Sequence, residues 1–325
     1  MVVRKKVLLG VGAVLAVLGS FATDIAKKMP LAEAHHPPSH GVQSSIALAQ
    51  MSRLTVAFPA RGDSADLQRK ANAVGQFLSR ELRIPVDTVV SDDTAAVEAL
   101  RANRADVAFL SSRPALKAEQ LANARLYLAE VRPNYSGGHT YRSVMVVRKE
   151  SPLRSGNNAQ QTLSQLRGKR IAFTSPTSGS GFIFPVGELV RSGFVPNRDR
   201  LNGFFTNVTY GNNYSGALQA VLRGQADVAA VSEYALNSPY ITAQEASQLR
   251  VLYAISGVPA HGIAIDDDVP AAMRDRIINA MMKLNQPGNN QLLRDLYNST
   301  QLVRVDHNSH LQPMRQALQR AGLEP

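Results

Sequence analysis

The stretch GKRIAFTSPTSGSGFIFPVGELVRSG, residues 168–193, decides the fold. Its apolar run RIAFT reads as a strand, and FIFPVGELV carries the apolar spacing of a helix. Between them lie Ser175, Thr177, Ser178 and Ser180, with Gly179 and Gly181 interleaved. A strand that turns through small residues into a helix is half of a crossover, the unit of a parallel sheet. The helix is expected to begin near Ser180.

Outward from this stretch the same alternation recurs. LTVAFP (54–59) reads as a strand, ADLQRKANAVGQFLSREL (65–82) as a helix and IPVDTVV (84–90) as a strand. TAAVEALRANR then reads as a helix and ADVAFLSS as a strand ending in hydroxyls. VEALRANRADVAFLSS (97–112) aligns with LQAVLRGQADVAAVSE (218–233) at a constant offset of 121 residues. Two α/β lobes of like construction are therefore expected. Residues 51–142 and 258–325 form the first, and residues 143–257 form the second. RPNYSGGHTYRSVMVVRKE (132–150) and VLYAISGVPAHGIAI (251–265) would be the two crossings between them, and hinge candidates. The tail from Pro270 reads as helical. Asp106 and Asp227 open the matched strands. Because ligands gather at the carboxyl ends of parallel strands, both are assigned to turns or caps rather than to chemistry.

Composition narrows the function. A hydrophobic fraction of 44% with 19% charged residues describes a globular chain. The net charge of +11 suggests anionic partners, but the cations form no long run, which argues against nucleic acid. With no cysteine, disulfides, thiolate catalysis, cysteine-ligated metals and a cysteine-linked lipid anchor are excluded.

The first residues, MVVRKK followed by the uncharged VLLGVGAVLAVLGSFA, have the order of a secretory signal peptide. Ser20-Phe21-Ala22 offers the small residues of a cleavage site, so the signal is placed at residues 1–22. An uncleaved membrane tether is the other reading of this run. Residues 23–50 form a linker, in which His35, His36 and His40 lack an accompanying acid and are read as solvated.

The turn at 175–181 has a chemistry of its own. Glycines let backbone approach a ligand, and the first N–H groups of a helix have no partner inside it. Those amides and the helix dipole favour an oxyanion, and Thr177, Ser178 and Ser180 add neutral hydroxyl donors. A single cap needs one hydroxyl, whereas four fall within six residues here. No lysine follows the glycines as a phosphate-binding loop requires, and no glycine stands two before Ser178 as a hydrolase elbow requires. Zincin and EF-hand spacings are missing too. Donors without a nucleophile or base describe binding rather than catalysis.

RGKRIAFTSPTSGSGFIFPVGEL, with VTYGNNYSGALQAVLRGQADVAAV, ADVAFL and TYRSVMVVRKES, resembles the phosphonate, phosphate and phosphite substrate-binding proteins of ABC transporters. The family's signature is close to Asp-Pro-x-Ser-Thr-Ser-Gly. The resemblance runs from about Leu54 to the end, and the Ser178–Gly181 region is its most specific part. It implies a two-lobed type II periplasmic-binding-protein fold with the ligand between the lobes. By position, Ser178, Gly179 and Ser180 match the anion clamp, with Gly179 in place of a threonine. Tyr214, after Asn213, stands where the family often has a histidine. Ser232 stands where receptors for aminoalkyl phosphonates carry an aspartate, with Glu233 beside it as a possible substitute. His261 stands where the family places a Pro-Asn-Asp loop.

Thr177, Gly181, Ser111, Ser112 and Tyr141 complete the expected ligand set, while Phe58, Arg61 and His139 are weaker candidates. The expected function is capture of phosphite, phosphate or a small alkyl phosphonate by lobe closure, and delivery to a permease. A receptor or tethered sensor for another anion, or a cleft phosphotransferase or hydrolase, are the alternatives. No metal, cofactor or catalytic step is expected, and the protein is expected to act as a periplasmic monomer.

Overall fold

A computed structural model describes residues 51–60 and 64–325. The residues read as a signal peptide (1–22) and a linker (23–50), and Arg61, lie outside the described residues. No described helix is long and apolar enough to cross a membrane.

The chain opens with β1 (Leu54–Pro59), α1 (Ser64–Leu82), β2 (Val86–Ser91) and α2 (Asp93–Arg101). It continues through β3 (Val107–Leu110), α3 (Ser112–Ala122) and β4 (Arg125–Val131). Helix α1 buries Leu67, Ala71, Val74, Leu78 and Leu82, the stripe its spacing announced. The chain then crosses to β5 (Thr140–Arg148), α4 (Ala159–Ser164) and β6 (Arg170–Phe173). A π-helical turn, Gly179–Ile183, runs directly into α5 (Phe184–Arg191). After it come β7 (Asn207–Tyr210), α6 (Tyr214–Leu222), β8 (Val228–Ser232), α7 (Ala243–Ala246) and β9 (Leu249–Pro259). A second crossing leads to β10 (Gly262–Ile265), α8 (Ala271–Met282), α9 (Asn290–Tyr297), β11 (Gln301–Arg304) and α10 (His307–Ala321).

The strands form a six-stranded sheet, β11-β4-β10-β3-β1-β2, and a five-stranded sheet, β7-β6-β8-β5-β9. Both have one plan. Three parallel strands, β2-β1-β3 or β7-β6-β8, are followed by one antiparallel strand, β10 or β5. Leu54, Val56, Ala57 and Phe58 of β1 are wholly buried, as a strand covered on both faces must be. One face meets α1, α8 and α9, and the other meets α2 and α3. In the second sheet, Ala217, Leu218 and Val221 of α6 cover one face. On its other face α10 lies against α5, so the tail that the sequence assigns to the first lobe ends on a helix of the second sheet. Gly187 permits that approach, because a Cβ there would sit 3.1 Å from Ala317 O.

The matched aspartates do the same work in both sheets. Asp106 N–H donates to Thr55 O at 2.9 Å, and its Oδ2 accepts from Thr55 N–H at 2.6 Å. Asp227 N–H donates to Arg170 O at 2.9 Å, and its Oδ2 accepts from Arg170 N–H at 2.8 Å. Each stitches its strand to the start of the neighbouring parallel strand, at Thr55 of β1 or Arg170 of β6, which is the turn role read from the sequence. The two crossings run side by side, with Ala260 N–H donating to His139 O at 3.1 Å.

Candidate functional site

The carboxyl ends of both sheets border one cleft of about 350 Å³. Ser111 and Ser112 reach it from β3, Thr174 to Gly179 from β6, Asn213 and Tyr214 from β7, and Tyr234 and Tyr240 from beyond β8. Arg132, Tyr141 and His261 reach it from the crossings. This is the place where an open parallel sheet takes its ligand.

The turn after β6 is held from several sides. Ser178 caps the helix, its Oγ accepting from Gly181 N–H at 3.0 Å, and Ser178 N–H donates to Ser175 O at 3.1 Å. Gly181 O accepts from Thr174 N–H at 3.1 Å, and a Cβ on Gly181 would fall 2.1 Å from Thr174 Oγ1, so only glycine fits. The first bond inside the helix runs from Ile183 N–H to Ser178 O at 3.0 Å. The amides of Gly179 and Ser180 precede it, at the positive end of a helix that continues to Arg191. Thr177, Ser178 and Gly179 line the cleft, with Ser175 Oγ 3.3 Å from Thr177 Oγ1.

Ser180 and Gly181 lie behind that wall. Ser180 is wholly buried; its O accepts from Ser143 Oγ at 2.6 Å, and its Oγ lies 3.0 Å from Tyr214 OH. Tyr214 OH is in turn 3.3 Å from Tyr234 OH, so a chain of hydroxyls runs from the turn along the cleft. Burial pushes the Tyr141 and Tyr234 phenols well above their ordinary range, which keeps them protonated donors. Asn213 spends its Oδ1 on capping α6, accepting from Gly216 N–H at 2.8 Å.

Other expected residues are placed away from the cleft. Ser232 is fully buried and lies opposite Ser143 in the β5–β8 ladder. Glu233 accepts from Ser136 N–H at 3.0 Å, Ser136 Oγ at 2.8 Å, Arg142 N–H at 2.9 Å and Arg142 Nε at 2.6 Å. Burial pushes its carboxyl up, but these donors outweigh burial and hold it below its ordinary value. Neither residue borders the cleft. Phe58 belongs to the core, stacked on Phe109 with ring centres 4.9 Å apart. His139 is exposed at the first crossing, its ring 5.6 Å from that of His310.

Sequence reasoning missed Asp93, Arg113, Tyr234, Tyr240 and, as the buried charge among them, Arg132. Arg132 borders the cleft at 9% exposure, its guanidinium 5.4 Å from the centre of the Tyr234 ring and 5.7 Å from that of Tyr135. Its Nη2 stands 2.8 Å from Glu130 Oε1 in an ion pair, yet neither Nη2 nor Nε makes a well-aligned hydrogen bond. Glu130 is tied in place by Tyr135 OH at 2.9 Å and Ser299 Oγ at 2.6 Å, and His261 Nδ1 lies 3.1 Å from its Oε1. The available signal was a cation directly after a buried strand, at the start of the crossing. Asp93 is the carboxylate that borders the cleft; its Oδ2 accepts from Ser111 Oγ at 3.0 Å, while Oδ1 is buried without a partner.

Comparison with known proteins agrees with this architecture. The family described as "ABC transporter, phosphonate, periplasmic substrate-binding protein" matches residues 56–311. The phosphonates-binding periplasmic protein of Escherichia coli is 27% identical over 209 residues, 64% of this chain and 59% of that protein. The phosphate-import protein PhnD of Mycolicibacterium smegmatis is 25% identical over 188 residues, 57% of this chain and 56% of that one. The chain thus spans under three fifths of the length of these curated relatives. PhnD1 of Prochlorococcus marinus, solved in complex with methylphosphonate, superposes with a TM-score of 0.66 at 18% identity. That superposition covers 83% of this chain and 98% of PhnD1. The fold is the two-lobed α/β fold of type II periplasmic binding proteins. Matched over most of its described length, the chain belongs to the family of periplasmic phosphonate substrate-binding proteins of ABC transporters.

Proposed function

We propose that this protein is the extracytoplasmic receptor of an ABC importer and captures a small phosphorus oxyanion: phosphite, phosphate or an alkyl phosphonate. The lobes close on the ligand about the paired crossings, and a permease receives it. No chemical step is assigned to the cleft. The observation that carries this reading is the turn after β6, whose Thr177, Ser178 and Gly179 line the gap between the sheets at the start of a helix. Family membership and the methylphosphonate complex of PhnD1 support the ligand class. The signal-like amino terminus supports export.

A second reading, an aminoalkyl phosphonate, is favoured by Asp93. Glu233 is spent on Arg142 and Ser136, but Asp93 brings a carboxylate to the border of the cleft, where it could hold an ammonium group beside Ser111. Calorimetric titration with phosphite, phosphate, methylphosphonate, aminoethylphosphonate and sulfate tests both readings. Binding of a phosphorus oxyanion at one site per chain, with sulfate excluded, is expected. Silence toward all the phosphorus compounds contradicts the proposal. Preference for aminoethylphosphonate that disappears in Asp93→Asn selects the second reading.

A further inference from the structure

We propose that Arg132 is the charge-bearing ligand contact of this cleft and makes it select a doubly charged oxyanion over a singly charged one. This rests on the oxyanion reading above. The turn after β6 and the tyrosine hydroxyls supply only partial charges; of the two arginines that border the cleft, Arg113 donates Nη2 to Glu324 O at 2.8 Å, and Arg132 is the buried one that adds a formal charge. A guanidinium is rarely buried unless its donors are used. Glu130 balances the charge of Arg132, and the Tyr135 and Tyr234 faces shield it; Nε and Nη2 are enclosed on the Glu130 side, which leaves Nη1 as the nitrogen that meets the cleft. Glu130 does not border the cleft, so the arginine stands between its countercharge and the ligand space. The two hydrogens of Nη1 suit the oxygens of one tetrahedral anion.

Arg132 also sits at a junction. It borders the main cleft and an adjoining cavity of about 210 Å³, with Tyr234 and Tyr240 common to both. The chain of hydroxyls from Ser180 through Tyr214 ends at Tyr234, beneath the guanidinium. One wall therefore carries hydroxyl donors from the helix terminus to the arginine. Glu130 is the positioning residue, and Ser299, Tyr135 and Arg132 converge on it from the tail and the first crossing.

The test compares methylphosphonate with its monomethyl ester, which bears one charge only, by calorimetry at a pH where methylphosphonate is doubly ionised. The unaltered protein is expected to prefer methylphosphonate by about tenfold or more. Arg132→Gln is expected to weaken methylphosphonate by about a hundredfold and to abolish most of that preference. Arg132→Lys retains the charge without the planar guanidinium and keeps part of the preference. If Arg132→Gln does not fold, Glu130→Gln decides the matter, because removing the countercharge should raise the preference several-fold. A folded Arg132→Gln that weakens both ligands equally, or a Glu130→Gln with unchanged preference, overturns the inference. Equal binding of both ligands by the unaltered protein overturns this inference alone, whereas binding of neither overturns the proposed function with it.

Discussion

The strands β3 and β8 occupy matching places in the two sheets and begin alike, but they end differently. Asp106 and Asp227 each take an amide at the start of the neighbouring strand, through bonds of 2.6 and 2.8 Å. At the far end, β3 delivers Ser111 and Ser112 to the cleft. The matching residues after β8, Ser232 and Glu233, face the interior and Arg142 instead, and the next residue, Tyr234, takes over the wall. A repeated scaffold does not imply a repeated site. The entrance of each strand is set by its neighbour in the sheet, whereas its exit depends on what packs there from elsewhere.

The largest expected effects test the shared entrances. Asp106→Ala and Asp227→Ala each orphan a strand amide, so each should lower the free energy of urea unfolding by about 1–3 kcal/mol. A loss in only one of the two would show that the entrances are not equivalent. Ser178→Ala comes next, removing the cap on Gly181 N–H at a cost of about 1 kcal/mol in the same assay.

The two aspartates should also respond oppositely to pH. Burial raises the Asp106 carboxyl above its ordinary value, while the hydrogen bond and charge of Arg170 hold Asp227 below its own. A raised carboxyl favours the folded state most below the unfolded pKa of about 3.9, and that contribution falls as pH rises through the folded value. A lowered carboxyl stabilises above about 3.9 and loses its contribution as pH falls through the folded value. Asp106→Asn, whose amide oxygen still accepts from Thr55, should therefore raise the melting temperature at pH 7. Asp227→Asn should lower it, with the deficit shrinking as the pH drops below about 3.9. The smallest effect belongs to Glu233→Gln, which touches no cleft residue. Its affinity for methylphosphonate should stay within about twofold, and a larger change would return Glu233 to the site.

The fold was legible wherever local pattern decides it. The spacing in α1, the mostly apolar run of β1 and the aspartate-led repeat all report contacts with near neighbours in the fold. The turn after β6 was legible too, because glycine and hydroxyl residues there serve local needs, although its helix opens with a π-helical turn at Gly179. Arg132 was not legible. Its burial depends on Glu130 two residues before it, Tyr234 from beyond β8 and Ser299 from the tail, which only the fold brings together. Ser232 and Glu233 were misplaced for the same reason, since β5 supplies both Ser143 and Arg142. The seat of α10 depends on α5, more than a hundred residues earlier.

The most direct measurement follows backbone amide resonances of ¹⁵N-labelled protein during titration with methylphosphonate. The account predicts that the amides of Thr177, Ser178 and Gly179, which line the cleft, shift most, that of Gly179 downfield as it donates to the oxyanion. Saturable binding that leaves these amides unmoved while others shift would contradict it.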